Sequence, residues 1–180
     1  MEKRAATIEV RAISAGRKLE GYAALFGAET RISDPVRGAF RETIRAGAFD
    51  ASLRADVLAI RDHDPTRLLG RTRSGTLRLG SDSKGLSFEI DLPDTSEGRD
   101  TLALAERGDL GGMSFGFDVP AGGDTWTGDR RELRSVVLHE ISVVSHWPAY
   151  PGTVIDVRAG LIDACLGPLL ARRWLETAGA

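Results

Sequence analysis

The sequence predicts a mainly β fold: an antiparallel β-barrel of about seven strands, with helices packed on its outside. Three observations lead to this prediction. Short segments alternate between apolar and polar residues, turn-forming residues separate these segments, and few stretches carry helical spacing. The 180 residues are enough for one domain with a core and few for two.

The predicted strands are short and spread along the chain. They are Thr7–Ile13, Leu19–Phe26, Val57–Ile60, Leu68–Thr72, Thr76–Gly80, Leu86–Leu92, Gly111–Val119 and Leu133–Ser145. The last of them is the clearest, because Val136, Leu138, Glu140, Ser142 and Val144 should share one face by simple alternation. Both of its faces are partly apolar, which places it in the centre of a sheet or barrel wall.

Helical patterns are fewer. Phe40, Ile44 and Ala48 recur at helical spacing, which predicts a helix within Gly38–Phe49, and Asp50–Ala55 is expected to follow as a short helix. The residues Asp94-Thr95-Ser96-Glu97 predict a second helix start, with its end at Gly108. The stretch Gly122–Gly128, with Trp126, is expected to be a loop.

The C-terminal residues 159–180 are expected to form a helical tail after a domain of residues 1–158. Apolar stripes recur at helical spacing on both sides of Gly167-Pro168, where the helix should break. The pattern fits a helix docked on the domain or a helix that binds a partner.

Composition excludes several classes of protein. A net charge of −2 gives no basic excess for coating nucleic acid, and no apolar run approaches the ~20 residues that span a membrane. Cys165 is the only cysteine, so an internal disulfide is excluded, and its apolar surroundings favour a buried side chain over a reactive thiol. The charged N-terminus is unlike a signal peptide. We therefore expect a cytoplasmic protein with no specific nucleic-acid or membrane partner.

Ser114 is the candidate nucleophile. It lies in the apolar segment Gly111–Phe117 with glycines on both sides, which would let another backbone approach closely. A buried hydroxyl needs a hydrogen-bond partner, which a catalytic base or the backbone could supply. The segment lacks the Gly-x-Ser-x-Gly elbow of the α/β-hydrolases.

His63 is the candidate general base, because imidazole changes protonation near neutral pH and the flanking Asp62 and Asp64 could orient its ring. An exposed loop histidine is the alternative, and His146 resembles one. A third residue should hold the base. Glu140 is the first choice and its neighbour His139 the rival; alternation allows only one of them to face the site.

Metal binding is the weaker interpretation. The three histidines have no zinc spacing, although Asp62, His63 and Asp64 could together hold a hard ion. No glycine-rich loop has the Lys-Ser/Thr ending that cradles phosphate. We therefore expect neither a metal nor a cofactor.

An ordered set of segments then resembles the HK97-type prohead (capsid-maturation) proteases. These segments are Gly21–Phe26, Gly47-Ala48-Phe49, Asp62-His63-Asp64, Asp82–Phe88, Arg107–Phe117 and Glu140–Tyr150. Together they span about residues 7 to 158, and the set is more specific than any one segment. Ala46 and Ser145-His146-Trp147-Pro148 depart from the usual pattern.

The resemblance implies a fold like that of the herpesvirus assemblins and a serine endopeptidase with His63, Ser114 and Glu140 in that chain order. Assemblins use a second histidine as the third residue, which keeps His139 open. Family members work inside the procapsid of a phage or a gene transfer agent, remove the scaffolding segment of the major capsid protein and usually cleave themselves. Assemblin-like relatives also tend to self-associate.

Two other functions remain open from the sequence. The chain could be a non-enzymatic capsid-assembly protein with a decayed site, or a metal-dependent hydrolase centred on Asp62-His63-Asp64. Donors for an oxyanion hole are expected either in the loop before Ser114 or near Arg130-Arg131.

Overall fold

The structure, a computed structural model, describes residues 1–6, 10–13, 17–34 and 36–145. Over these residues the chain forms thirteen strands and one α-helix, α1 (Ser96–Arg107). The strands are β1 (Glu2–Ala6), β2 (Val10–Ile13), β3 (Lys18–Leu25), β4 (Thr30–Asp34), β5 (Gly38–Ile44), β6 (Leu58–Arg61), β7 (Asp64–Arg71), β8 (Leu77–Ser81), β9 (Gly85–Asp91), β10 (Gly112–Asp118), β11 (Asp124–Thr127), β12 (Arg130–Leu133) and β13 (Val137–Val144). The mainly β prediction is therefore confirmed.

The strands are arranged in three sheets, with orders β1-β10-β13-β6-β7, β11-β12-β5-β4 and β2-β3-β9-β8. Neighbouring strands are antiparallel except for two parallel pairs, β13 with β6 and β12 with β5. None of the sheets closes on itself over the described residues, so the predicted antiparallel barrel is not what the structure shows. Barrel closure depends on pairing between strands that are distant in the chain, and alternation along one strand carries no information on it.

One core joins the sheets. It contains buried residues from β3, β6, β9, β10 and β13, and it includes Phe49, which follows β5. The ring of Phe115 packs edge-on against Phe49 at 5.6 Å and stacks on Phe117 at 5.3 Å. One side of β10 is thus fixed by core packing, which leaves its other side for polar groups.

Helix α1 begins and ends where the sequence predicts. The Thr95 side chain accepts a hydrogen bond from the Gly98 backbone N–H, and Gly108 adopts a left-handed conformation (φ 74°) just after the last turn. No helix in the described part of the chain is long and apolar enough to cross a membrane.

The helix predicted within Gly38–Phe49 is wrong, because residues Gly38–Ile44 form β5. Phe40 and Glu42 are buried at alternate positions, and β5 lies between β4 and β12. Phe40 and Ile44 are four residues apart, an even spacing that fits a strand as well as a helix. The helix expected at Asp50–Ala55 is reduced to a 3₁₀ turn at Asp50–Ser52.

The loop predicted at Gly122–Gly128 is also wrong. It contains β11, which forms a hairpin with β12. β12 ends at Leu133, where the predicted strand Leu133–Ser145 begins, and the observed strand β13 starts only at Val137. The tail at 159–180, and with it Cys165, lies outside the described residues, as does His146.

Candidate active site

Ser114 lies in the middle of β10, between β1 and β13. It is 1% exposed, and its hydroxyl donates a hydrogen bond to the backbone carbonyl of Arg4 at 2.8 Å. This carbonyl belongs to β1, the edge strand of the sheet. The candidate nucleophile is therefore covered in this conformation, with a backbone acceptor in the place of a catalytic base.

A β-bulge interrupts the pairing of β10 with β13. Gly116 is opposite Glu140, but the next residue, Phe117, is opposite Leu138, so His139 is the extra residue. Because of the bulge, Leu138 and Ile141 both belong to the core. The prediction that Leu138 and Glu140 share a face is therefore wrong: simple alternation does not hold across an extra residue.

The bulge leaves Glu140 on the side of the sheet that carries His63. The His63 Nδ1 and the Glu140 Oε1 are 2.6 Å apart, and Glu140 is 7% exposed. A Cβ atom on Gly116 would lie 2.7 Å from the Glu140 Cγ and 2.9 Å from its Oε1. Because glycine has no side chain, the Glu140 side chain can occupy the space beside Gly116.

The backbone at His63 has an uncommon conformation. Asp62 and His63 both have positive φ angles, of 50° and 60°, in a tight turn between β6 and β7. Such angles cost roughly 1–2 kcal/mol for residues with a side chain. The turn is held by β13: the Asp62 N–H donates to the Val143 carbonyl at 2.9 Å, and the His63 N–H donates to the Ser142 hydroxyl at 2.8 Å.

The carboxylate of Asp62 anchors the same turn to the end of β13. It accepts the Ser145 N–H at 2.7 Å and the Ser145 hydroxyl at 3.1 Å, and Arg67 donates to it at 2.9 Å. Burial raises the pKa of Asp62, but the bonds from Ser145 and the charges of Arg61 and Arg67 outweigh it and hold the pKa below its ordinary value.

Ser142 links the two candidate catalytic strands. It is opposite Ser114 on β10 and opposite Ile60 on β6, and it is fully buried. Residues directly opposite in a sheet have Cβ atoms about 4.5–5.5 Å apart and face the same side. Ser142 therefore lies next to Ser114, while its hydroxyl accepts the backbone N–H of His63. Within the described residues, the His63 ring makes no hydrogen bond to Ser114.

The rival histidine is placed differently. His139 is exposed, and its Nε2 lies 2.9 Å from the Asp118 carboxylate, at the end of β10. The sequence suggested that the carboxylates of Asp62 and Asp64 orient the His63 ring. The structure contradicts this suggestion, because both carboxylates bind other residues. Asp62 accepts from Ser145 and Arg67, and Asp64 accepts from Thr66. Glu140 is the carboxylate at the ring.

Arg131 lies in one of the two regions expected to supply backbone N–H donors to an oxyanion hole, and its side chain belongs to a buried cluster of charges. Its guanidinium donates to Glu2 at 2.6 Å, to Glu42 at 3.1 Å and to Asp124 at 2.7 Å. Burial lowers the pKa of Arg131, but the hydrogen bonds to Glu2 and Asp124 and the charges of Glu2 and Glu42 outweigh it and hold the pKa above its ordinary value. The Arg4 Nε completes the cluster with a 2.6 Å bond to Glu42. The Arg131 side chain is therefore fully engaged in holding β1 to the second sheet.

Sequence reasoning did not find Ser142, Gly116 or Arg4. A signal existed for Ser142, since a second polar residue two places after Glu140 in an apolar strand marks a polar strip. The sequence indicates Gly116 only as one of the glycines that would let another backbone approach Ser114 closely. No pattern in the sequence relates Arg4 to Ser114, because the contact joins residues 110 positions apart.

The comparison with protein families decides the membership of the chain. A family model described as caudovirus prohead serine protease matches residues 6–166. The chain belongs to this family. The prohead-protease resemblance of the sequence is thereby confirmed. No curated protein and no solved structure is similar enough to the chain to count as a match.

Proposed function

We propose that the chain is a serine endopeptidase in which Ser114 is the nucleophile, His63 the general base and Glu140 the residue that orients the base. The observation that carries this proposal is the 2.6 Å contact between the His63 Nδ1 and the Glu140 Oε1 on the strand that pairs with the serine strand. Membership of the prohead serine proteases supports it.

With Glu140 as a carboxylate, the contact favours one tautomer of the proposed base. A carboxylate accepts only, so the His63 Nδ1 carries the proton and the Nε2 keeps a free lone pair. In the reaction, the Nε2 takes the proton from the Ser114 hydroxyl as its oxygen attacks the peptide carbonyl. The Nε2 then gives that proton to the leaving amine, which breaks the peptide bond and leaves an acyl-enzyme for water to hydrolyse. Glu140 stabilises the imidazolium that forms between these two steps.

The proposed substrate is the scaffolding segment of the major capsid protein, cut inside the procapsid of a phage or a gene transfer agent. The chain itself is a second proposed substrate, and we propose that it self-associates. Family membership supports the capsid substrate, because a prohead serine protease acts during capsid maturation.

Co-expression with the major capsid protein of the same particle tests the proposal. We expect the capsid protein to lose a defined segment, seen by intact-mass analysis, and Ser114→Ala to prevent this loss. Ser83→Ala is the matched control, because Ser83 is exposed in a turn. A shortened capsid protein in the presence of the folded Ser114→Ala variant would refute the proposal.

One observation favours a second candidate, a non-enzymatic assembly protein. The Ser114 hydroxyl is buried and bonded to the Arg4 carbonyl, not to His63. Under this alternative, an intact capsid protein would be recovered in complex with the unmodified chain. Processing that depends on Ser114 would exclude it.

A further inference from the structure

We propose that the edge of β10 is the docking surface for the substrate peptide and that β1 occupies this surface in competition with it. The inference rests on the proposed function, because it concerns how a substrate reaches Ser114. Its partner is an extended peptide that pairs with β10 as a new edge strand. That peptide carries an acidic residue and, two positions later, a basic residue.

The first argument is access. A serine that is 1% exposed and bonded to the Arg4 carbonyl has no room for a substrate carbonyl at its oxygen. β1 pairs with β10 over Glu2–Ala6, with Ala5 opposite Ser114, so the backbone of β1 lies where an attacked peptide bond must lie. When β1 leaves, the backbone groups of β10 are unpaired and available to another strand.

The second argument is what holds β1. The side chains described in this strand are those of Glu2, Lys3 and Arg4, which are charged, and none belongs to the core. Glu2 and Arg4 instead make ion pairs with Arg131 and Glu42. Because β1 contributes no described side chain to the core, it can detach without opening the core, but its departure leaves the buried charges of Arg131 and Glu42 in need of new partners.

The third argument is the charge of the vacated surface. Without β1, the buried Arg131 faces Glu42 and Asp124, and Glu42 has lost Arg4. An incoming acidic residue restores the partner of Arg131, and a basic residue two positions later restores the partner of Glu42. Side chains two positions apart in a strand lie on the same face. The family match begins at residue 6, so the covering strand lies almost wholly outside it.

The test compares the full-length chain with its double variant Glu2→Gln/Arg4→Gln, in which β1 is loosened. Lys3→Gln is the control, because Lys3 is exposed on the same strand. The first readout is fluorescence anisotropy with a labelled peptide of residues 1–6, and with the same peptide after exchange of its Glu and Arg. The second readout is the rate at which a fluorophosphonate labels Ser114.

We expect the double variant to bind the peptide with the natural order of Glu and Arg about tenfold more tightly than the wild type does. We also expect the fluorophosphonate to label Ser114 about fivefold faster in the double variant. Lys3→Gln should match the wild type, and the exchanged peptide should bind more weakly. Equal peptide binding by the wild type and the folded double variant would overturn the inference, as would measurable labelling of Ser114 at the same rate in both. Peptide binding without labelling of Ser114 in any variant would instead refute the proposed function and leave the docking surface standing.

Discussion

The Nδ1 of His63 lies 2.6 Å from the Oε1 of Glu140, although 77 positions separate the two residues in the chain. This is not a contact between two mobile surface side chains, because the His63 and Glu140 side chains are only 15% and 9% exposed. The β-bulge at His139 and the left-handed turn at His63 both serve this one contact. The predictions below test its parts separately.

Replacing the carboxylate at the base should slow catalysis strongly. In Glu140→Gln the amide NH₂ or C=O can each meet the Nδ1, so the ring is no longer held in the required tautomer. We expect the rate of capsid-protein cleavage to fall by about 10²- to 10⁴-fold. His139→Gln is the matched control from the other side of the bulge and should leave the rate unchanged. A larger loss in His139→Gln would assign the third position to the histidine.

Gly116→Ala should also slow cleavage, because the new side chain would displace the Glu140 side chain. The new Cβ would lie 2.7 Å from the Glu140 Cγ and 2.9 Å from its Oε1, so the buried Glu140 side chain would have to move away from the His63 ring. We expect a lower free energy of unfolding and a loss of rate approaching that of Glu140→Gln. The double variant Gly116→Ala/Glu140→Gln should be no slower than Glu140→Gln alone. Additive losses would mean that Gly116 acts without Glu140.

The fold and the candidate site could be predicted from the sequence only in part. The order of His63, Ser114 and Glu140 followed from the resemblance to a family, and the capped helix α1 from local residues. Short-range patterns carry that information. The bulge at His139 and the cover of Ser114 by Arg4 depend on pairing between distant strands, which no local pattern records. The strand β5 was missed because the spacing of Phe40 and Ile44 satisfies two periodicities.

Ser142→Ala should weaken both the turn and the activity. The His63 N–H would lose its acceptor in a buried position, which costs about 1–3 kcal/mol of unfolding free energy. The turn with two positive φ angles would then be less populated, so the cleavage rate should fall as well. Urea denaturation and the cleavage assay check the two effects, with Ser83→Ala as the control. Wild-type stability in Ser142→Ala would show that the Ser142–His63 bond is dispensable.

Asp62 should make stability depend on pH. The pKa of Asp62 is lowered in the folded state, so its contribution is present above the unfolded pKa of about 4 and is lost as the pH falls through the lower folded value. Asp62→Asn should therefore cost about 1–2 kcal/mol at pH 7 and progressively less below pH 4. Denaturation at several pH values measures this. Asp100→Asn, on the exposed side of α1, is the control, and a cost independent of pH would contradict the assignment.

The most direct test of the central claim is the site and rate of covalent labelling. The purified full-length chain is incubated with a fluorophosphonate to completion, and peptide mass mapping identifies the modified residue. We predict one phosphonyl group on Ser114, added with loss of fluoride, at a rate that falls about 10²-fold or more in His63→Gln and is unchanged in His139→Gln. Labelling at another residue, or at Ser114 with the same rate in His63→Gln, would contradict the account.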